Sequence, residues 1–397
     1  MQETGAFMTL SRSWIRPLAI AAAVGALYLP IGAAEKAKPV SPGNGTLYIG
    51  VFPNHFKVID EATSTVVGTL PYKSGMPRRT SMTRDRKRFY TVEAQMEKVE
   101  ILDIARRTTI DTFTLSEGNR HVRVKTLEPD PQNRYVMMVI RPAVKQIDRF
   151  VIEPSSLVQF DLASKKIVNT IAWPNGEERE NANIQFSPDG RLLYLFSERD
   201  ILIYDTATMK QVDKWELSKP YDDGYAAFEF GQIDPSNDEP GFYTALFQVE
   251  DPVQHRRMMG VGRVNLAAKK IDFRTLGPSQ GLSFALAPGR KVAYGLASDI
   301  GRYEFWRFDL EQYHVSARQE FVGRPRMSLK TSSNGRVLYI YNAGNTIDLY
   351  DAATFKFMKT ITLDSDVTSD LFVLPGPPAG AAAPARPRTA GGTATRP

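Results

Sequence analysis

The sequence predicts an all-β protein, a seven-bladed β-propeller of four-stranded antiparallel blades. Three observations carry this prediction. A four-strand unit recurs along most of the chain, an Asp or Asn marks the same turn in each copy, and the first copy lacks a strand that the C-terminal end supplies. A single core stops growing beyond roughly 250–300 residues, and this chain has 397. Radial repeats escape that limit because each blade needs only its neighbours.

The unit is clearest over Ile184–Leu217. Ile184–Phe186 is a short strand ending at Ser187-Pro188-Asp189-Gly190, where Pro fixes φ and Asp-Gly permits a tight reversal. Leu192–Phe196 and Ile201–Tyr204 are apolar runs too short for helices and bounded by turn residues, so they read as buried strands. Asp205-Thr206-Ala207-Thr208 then turns the chain into Gln211–Leu217, a more polar outer strand.

From the N-terminus, residues 1–34 read as a signal peptide. Arg12 and Arg16 precede the apolar run Pro17–Leu29, and Gly32-Ala33-Ala34 offers a cleavage point before Glu35. The run is shorter than the about 20 residues of a membrane span. The expected location is therefore a bacterial periplasm or the medium, with membrane contact only if the leader stays uncleaved; Met1 and Met8 are alternative starts. Residues 35–45 form a Pro/Gly/Ser linker and residues 46–374 the propeller.

Within the propeller the marker turns fall at Asp60, Asp103, Asp161, Asp205, Asn265, Asp309 and Asp351, with spacings of 43, 58, 44, 60, 44 and 42 residues. The marker side chain is expected to accept a bond from backbone two residues on, closing the outer hairpin. Second strands recur as Leu47-Tyr48-Ile49, Phe89-Tyr90-Thr91, Tyr135-Val136-Met137, Leu193-Tyr194-Leu195, Phe242-Tyr243-Thr244, Val292-Ala293-Tyr294 and Leu338-Tyr339-Ile340. After the last outer strand, Met358–Leu363, the run Asp370–Leu374 is left to pair into the first blade. Such closure removes the exposed edges that template aggregation. Residues 375–397 are Pro, Ala, Gly, Thr and Arg, with almost nothing to bury, and are expected to be disordered.

Composition excludes several chemistries. The chain has no cysteine, which rules out disulfides, thiolate metal sites, a cysteine nucleophile and c-type haem attachment. Of the net charge of +6, the tail arginines carry three and the leader one, leaving +2 on the body. There is no G-x-S-x-G elbow, phosphate-binding glycine loop or His-Glu-x-x-His motif. His55, His121, His255 and His314 show no paired metal spacing. Asp234 with Asn237-Asp238-Glu239 resembles an acidic calcium loop only loosely, without its alternation and glycine. Trp173, Trp215 and Trp306 read as blade packing. Basic runs interleaved with aromatics are missing, so no nucleic-acid partner is expected. No cofactor, metal or catalytic residue is assigned.

Blade geometry sorts the loops. The Ser-Pro-Asp-Gly and Asp-Thr-Ala-Thr turns share one rim. Connections from second to third strand, and from blade to blade, share the other. The extra length of the two enlarged units, Arg141–Ser155 and Glu250–Arg257, falls largely on this second rim. Long loops on a rigid scaffold tend to carry function. Its blade-to-blade loops offer Arg78, Arg79, Arg120, His121, Arg123, Arg324 and Arg326 as residues to bind an anion or an acidic partner surface. Glu177, Glu178, Glu180, Asp222, Asp223, Asp364 and Asp366 supply the opposite charge there.

The Leu-Tyr-Ile, Ser-Pro-Asp-Gly and Tyr-Asp-Thr-Ala-Thr elements resemble the YVTN class of bacterial seven-bladed propellers. Phe150-Val151-Ile152-Glu153-Pro154 leading into Leu157–Asp161, Gly262–Leu266, and the last two blades through Leu349–Ala352 resemble the β subunit of quinohemoprotein amine dehydrogenase. That resemblance implies a periplasmic assembly with a di-haem cytochrome and a small quinone-bearing chain, in which this chain holds no redox cofactor. Three functions follow from the sequence. The first is an exported, non-catalytic propeller that binds a partner protein or small ligand at its loop-rich rim. The second is the non-redox dehydrogenase subunit, and the third a hydrolase or lactonase with a metal at the channel mouth.

Overall fold

The computed structural model describes residues 40–179, 181–196, 200–217, 228–231, 233–234, 236–299, 301–324, 326–341 and 344–377. The expected signal peptide and most of the expected tail lie outside the described residues. The rest is a closed ring of seven antiparallel blades.

Blade 1 has the strand order Val367–Leu374, Thr46–Val51, His55–Asp60, Thr65–Pro71. Its innermost strand comes from the far end of the chain, with Leu47 opposite Val373 and Ile49 opposite Leu371. Blades 2 to 7 follow in sequence, each running outward. Their innermost strands are Pro77–Met82, Arg120–Pro129, Asn183–Phe186, Phe228–Phe230, Leu282–Leu286 and Ser328–Thr331. Blade 3 adds a short strand, Phe150–Ile152, against the end of Tyr135–Lys145.

The core is divided among the blade interfaces. Middle strands are buried on both faces, so alternate residues serve opposite neighbours. Tyr48 packs with Phe56, Phe89 and Leu102 toward blade 2. Leu47 and Ile49 pack with Val337 and Tyr339 toward blade 7. The same division repeats around the ring: Tyr90 and Val136 join blades 2 and 3, Tyr135 and Leu193 join 3 and 4, and Tyr194 and Tyr243 join 4 and 5. Outer strands alternate less and are mainly exposed, as in Lys166–Ile171.

Every marker turn is built alike. The side chain of Asp60 accepts the Thr63 N–H at 2.8 Å, Asp161 that of Ser164 at 2.7 Å, Asp205 that of Thr208 at 2.8 Å and Asn265 that of Ala268 at 3.0 Å. The bond from the third residue on is common to all seven markers, and the bond from two residues on that the sequence led us to expect joins it at Asp309 and Asp351, from the Glu311 and Ala353 N–H at 2.8 and 3.1 Å. The reason for the longer reach is the residue that follows. Ser64, Arg107, Lys165, Met209, Lys269, Tyr313 and Phe355 all sit at positive φ, each four residues after its marker. That left-handed residue sets a longer turn, whose extra residue is absorbed by a register shift beside the marker in six of the outer hairpins; in blade 5 the shift lies farther along, at Met259 and Gly260.

Candidate functional site

The two rims differ. At the rim of the Ser-Pro-Asp-Gly turns, the segment between Phe228–Phe230 and Phe242–Asp251 lies across the end of the central channel. It leaves blade 5 and is bonded to blades 6, 7 and 2. Lys330 of blade 7 donates to Asp234 Oδ1 at 2.7 Å, and the Leu286 N–H of blade 6 donates to its Oδ2 at 3.0 Å. Asn237 donates to the Leu286 carbonyl at 2.9 Å. Arg290 donates to the carbonyls of Asn237 and Asp238 at 3.1 and 2.7 Å. From the far side of the ring, Arg86 of blade 2 donates to the Ser236 carbonyl at 3.0 Å. Arg84 beside it reaches blade 4, donating to the carbonyls of Phe186, Ser187 and Pro188 at 2.9 to 3.0 Å.

This segment contains the residues read as a loose calcium loop. Two of their carboxylates are otherwise engaged: Asp234 is buried against Lys330, and Glu239 pairs with Arg263 at 2.7 Å. Among the described residues, no group of three or more His, Asp or Glu side chains is arranged to hold a metal. The part of the second enlarged unit that forms this plug was missed by the sequence reading. The cluster of short polar residues around Asp234 is the signal that it left.

Just inside the plug, Glu128 on the inner strand of blade 3 accepts from the Ser81 hydroxyl at 3.1 Å. Protein surrounds it although its side chain is partly accessible, and this burial pushes its carboxyl up to about 8. Burial also raises Asp238 in the plug, against the nearby Arg84, Arg86 and Arg290.

Among the described residues no comparable segment crosses the opposite rim, the open rim, which carries the projecting loops. Tyr135–Lys145 and Phe242–Asp251 have 11 and 10 residues against 6 in Thr46–Val51, so the hairpins of blades 3 and 5 rise above their neighbours. The blade 3 hairpin is braced at its root. Arg120 pairs with Glu153 at 3.0 Å, Arg141 with Glu178 at 3.1 Å, and the Ser155 N–H donates to Glu178 at 2.9 Å. Ile147 and Val253 stand at the two hairpin turns, 107% and 82% exposed.

Exposed large apolar side chains sort by position. Among the described residues, Val66, Val67, Ile110, Ile167, Val168, Val212 and Phe357 lie on outer strands. The others, Phe52, Ile147, Phe150, Val151, Ile152, Val253 and Val322, all lie on the open rim. None lies on the plugged rim.

The seven basic residues singled out from the sequence all fall at the open end, but not all in loops; of the acids, Glu180, Asp222 and Asp223 lie outside the described residues. Arg78 and Arg79 begin the inner strand of blade 2, and Arg120, His121 and Arg123 begin that of blade 3. The strands start early because the tall blade 3 sheet offers Val144 and Ala143 as partners to Arg120 and His121. Blades 2 and 3 are adjacent, and Arg79 donates to the Lys125 carbonyl across their boundary. His121 faces Glu97 at 3.1 Å. Arg324 and Arg326 precede the inner strand of blade 7, two blades away. Arg324 turns to Thr346 and Asp348 of its own blade, at 2.7 and 3.3 Å.

No family model matches this chain, and no curated protein matches it. Solved structures do. A functionally unknown protein from Desulfotomaculum acetoxidans DSM 771 is 10% identical with a TM-score of 0.50, over 84% of this chain and 99% of that one. Hydrazine synthase of Kuenenia stuttgartiensis is 15% identical with a TM-score of 0.49, over 82% and 95%. Apo AztD from Citrobacter koseri is 13% identical with a TM-score of 0.48, over 83% and 98%. At these identities the likeness shows the fold alone.

Proposed function

We propose that this chain is an exported, non-catalytic binding scaffold that docks a partner protein on its open rim. One observation carries the reading: every exposed large apolar side chain outside the outer strands, among the described residues, stands on that rim. Water-exposed apolar groups cost free energy unless something covers them, and gathered on one face they mark an interaction surface. The plug supports the same choice of face, since it fills the other end of the channel with the protein's own segment. Export rests on the leader, and N-terminal sequencing of protein from the periplasm is expected to begin at Glu35.

The test compares tagged wild-type protein with an Ile147→Asp/Val253→Asp variant in pull-downs from periplasmic extract. Both positions are at hairpin turns outside the core, so folding is preserved. A partner held by wild type and lost by the variant supports the reading. Identical captures from both sink it.

A second reading is favoured by one observation. Phe150–Pro154, part of the segment resembling the quinohemoprotein amine dehydrogenase β subunit, lies in the projecting hairpin of blade 3 and not in the blade core. In this reading the partner is a cytochrome with a quinone-bearing chain. Haem staining and mass spectrometry of the captured material decide it, and a colourless capture without haem peptides removes it.

A further inference from the structure

Several cations in this protein's interior and on its rims are matched by a carboxylate. Lys57 meets Asp364 at 2.7 Å, Arg120 meets Glu153, Arg141 meets Glu178, Arg318 meets Glu304 at 2.6 Å and Lys330 meets Asp234. Among the described residues, four of the arginines singled out at the open end have no such match: Arg326, before the inner strand of blade 7, and three on the adjacent blades 2 and 3. Arg78 and Arg79 of blade 2 and Arg123 of blade 3 are exposed, and none pairs with a carboxylate among the described residues. They occupy adjacent inner strands, and Arg79 is held in place by the Lys125 carbonyl. Even Arg141, opposite Arg123 in the strand register, has its own partner in Glu178. Asp370 on the inner strand of blade 1 is exposed to the same channel and pairs with none of the three.

We propose that Arg78, Arg79 and Arg123 form an oxyanion site at the open mouth of the channel, taking carboxylate or phosphate groups. The inference rests on the reading that the open rim is the working face, and it names the chemistry recognised there. Unpartnered like charges on neighbouring strands repel one another, and an anion arriving between them relieves that repulsion. The plug occupies the other end of the channel. Guanidinium groups suit the task, because their planar fork bonds a carboxylate or phosphate through two parallel hydrogen bonds. The oxyanion comes either from a free small molecule or from acidic side chains of the docked partner.

The test titrates the full exported chain at low ionic strength with inorganic phosphate, citrate and an octaglutamate peptide, read by calorimetry. Wild type is expected to bind at least one probe. An Arg78→Ala/Arg123→Ala variant should bind it roughly tenfold more weakly or worse, about 1.4 kcal/mol. Arg123→Lys, which keeps charge without the fork, should fall between. Added salt should weaken binding. Binding of the small anions identifies a free ligand, and binding of the peptide alone identifies an acidic partner segment. The proposal is overturned if no probe binds, or if the double variant matches wild type. An unchanged unfolding midpoint shows that the variant folds, and single Arg123→Gln replaces it otherwise. The Ile147→Asp/Val253→Asp variant should retain anion binding, so loss of partner docking and loss of the anion site are separately visible.

Discussion

The Tyr339 hydroxyl of blade 7 donates to Glu61 of blade 1 at 2.9 Å, and that carboxylate has no exposed surface. The same acid accepts the Gly45 N–H at 2.7 Å and the Ser333 N–H at 2.8 Å, and it also bonds the Ser333 hydroxyl. Residues before the first strand, the first blade and the last blade are thus tied to one side chain. Burial, together with this acid, pushes the Tyr339 hydroxyl far above its usual range, so it remains a donor.

Glu61→Ala is expected to leave those donors buried and unmatched. The cost should be about 3 kcal/mol, in the range for breaking a buried charged network. Tyr339→Phe should cost about 1 kcal/mol, since it removes one donor and leaves the acid its other bonds. Urea unfolding followed by fluorescence checks both, and equal midpoints for wild type and Glu61→Ala would discard the role assigned to this contact.

Ending the chain after Asp366 removes the strand Val367–Leu374 and bares the edge of Thr46–Val51. Exposed, apolar strand edges recruit further strands. The truncated protein is expected to elute as oligomers or precipitate in size-exclusion chromatography. A soluble monomer with the wild-type unfolding midpoint would show that closure does not depend on that strand.

The plug rests on a buried ion pair. Asp234→Ala should strand Lys330 without its partner and cost about 3–5 kcal/mol. Adding Lys330→Met should restore a large part of that loss, because an apolar side chain fills the site without a charge. A double-mutant cycle from unfolding curves measures the coupling, and additive costs would show that the two side chains act independently.

Glu128 gives a pH prediction with a definite sign. Its carboxyl is pushed up to about 8 in the folded protein, above its unfolded value of about 4.5. The folded state therefore binds the proton more tightly, and stability falls as pH rises through this window. Glu128→Gln should remove that part of the slope. Relative to wild type, the variant should gain about 2 kcal/mol between pH 5 and pH 8, after discounting for the partial accessibility of the group. Unfolding midpoints of the two proteins across that range check it, and parallel curves would contradict it.

The repeat was legible because it is a local property. Asp60 through Asp351 mark turns whose chemistry depends on a few neighbouring residues, and all seven end a third strand in the structure. The missing first strand and the spare Asp370–Leu374 run were legible by counting. The two-residue bond was legible at Asp309 and Asp351, but the reach to the third residue at every marker was not. That reach depends on left-handed backbone at Ser64, Lys165 and their equivalents, which are not glycines and carry no sequence signal for that conformation.

The seven candidate residues show the same boundary. Their position at one end of the ring followed from strand order alone. Their partners did not: Arg120 meets Glu153, His121 meets Glu97 and Arg324 meets Asp348, whereas Arg78, Arg79, Arg123 and Arg326 meet no carboxylate among the described residues. By itself the sequence determined the blade count, the closure and the rim that bears the long loops, because strand period and turn residues act over a few positions. Only the tertiary structure decided that a blade 5 segment plugs one end of the channel, and which cations face the other end unmatched. Those features join residues from opposite sides of the ring, such as Arg86 and Ser236, whose meeting no local pattern encodes.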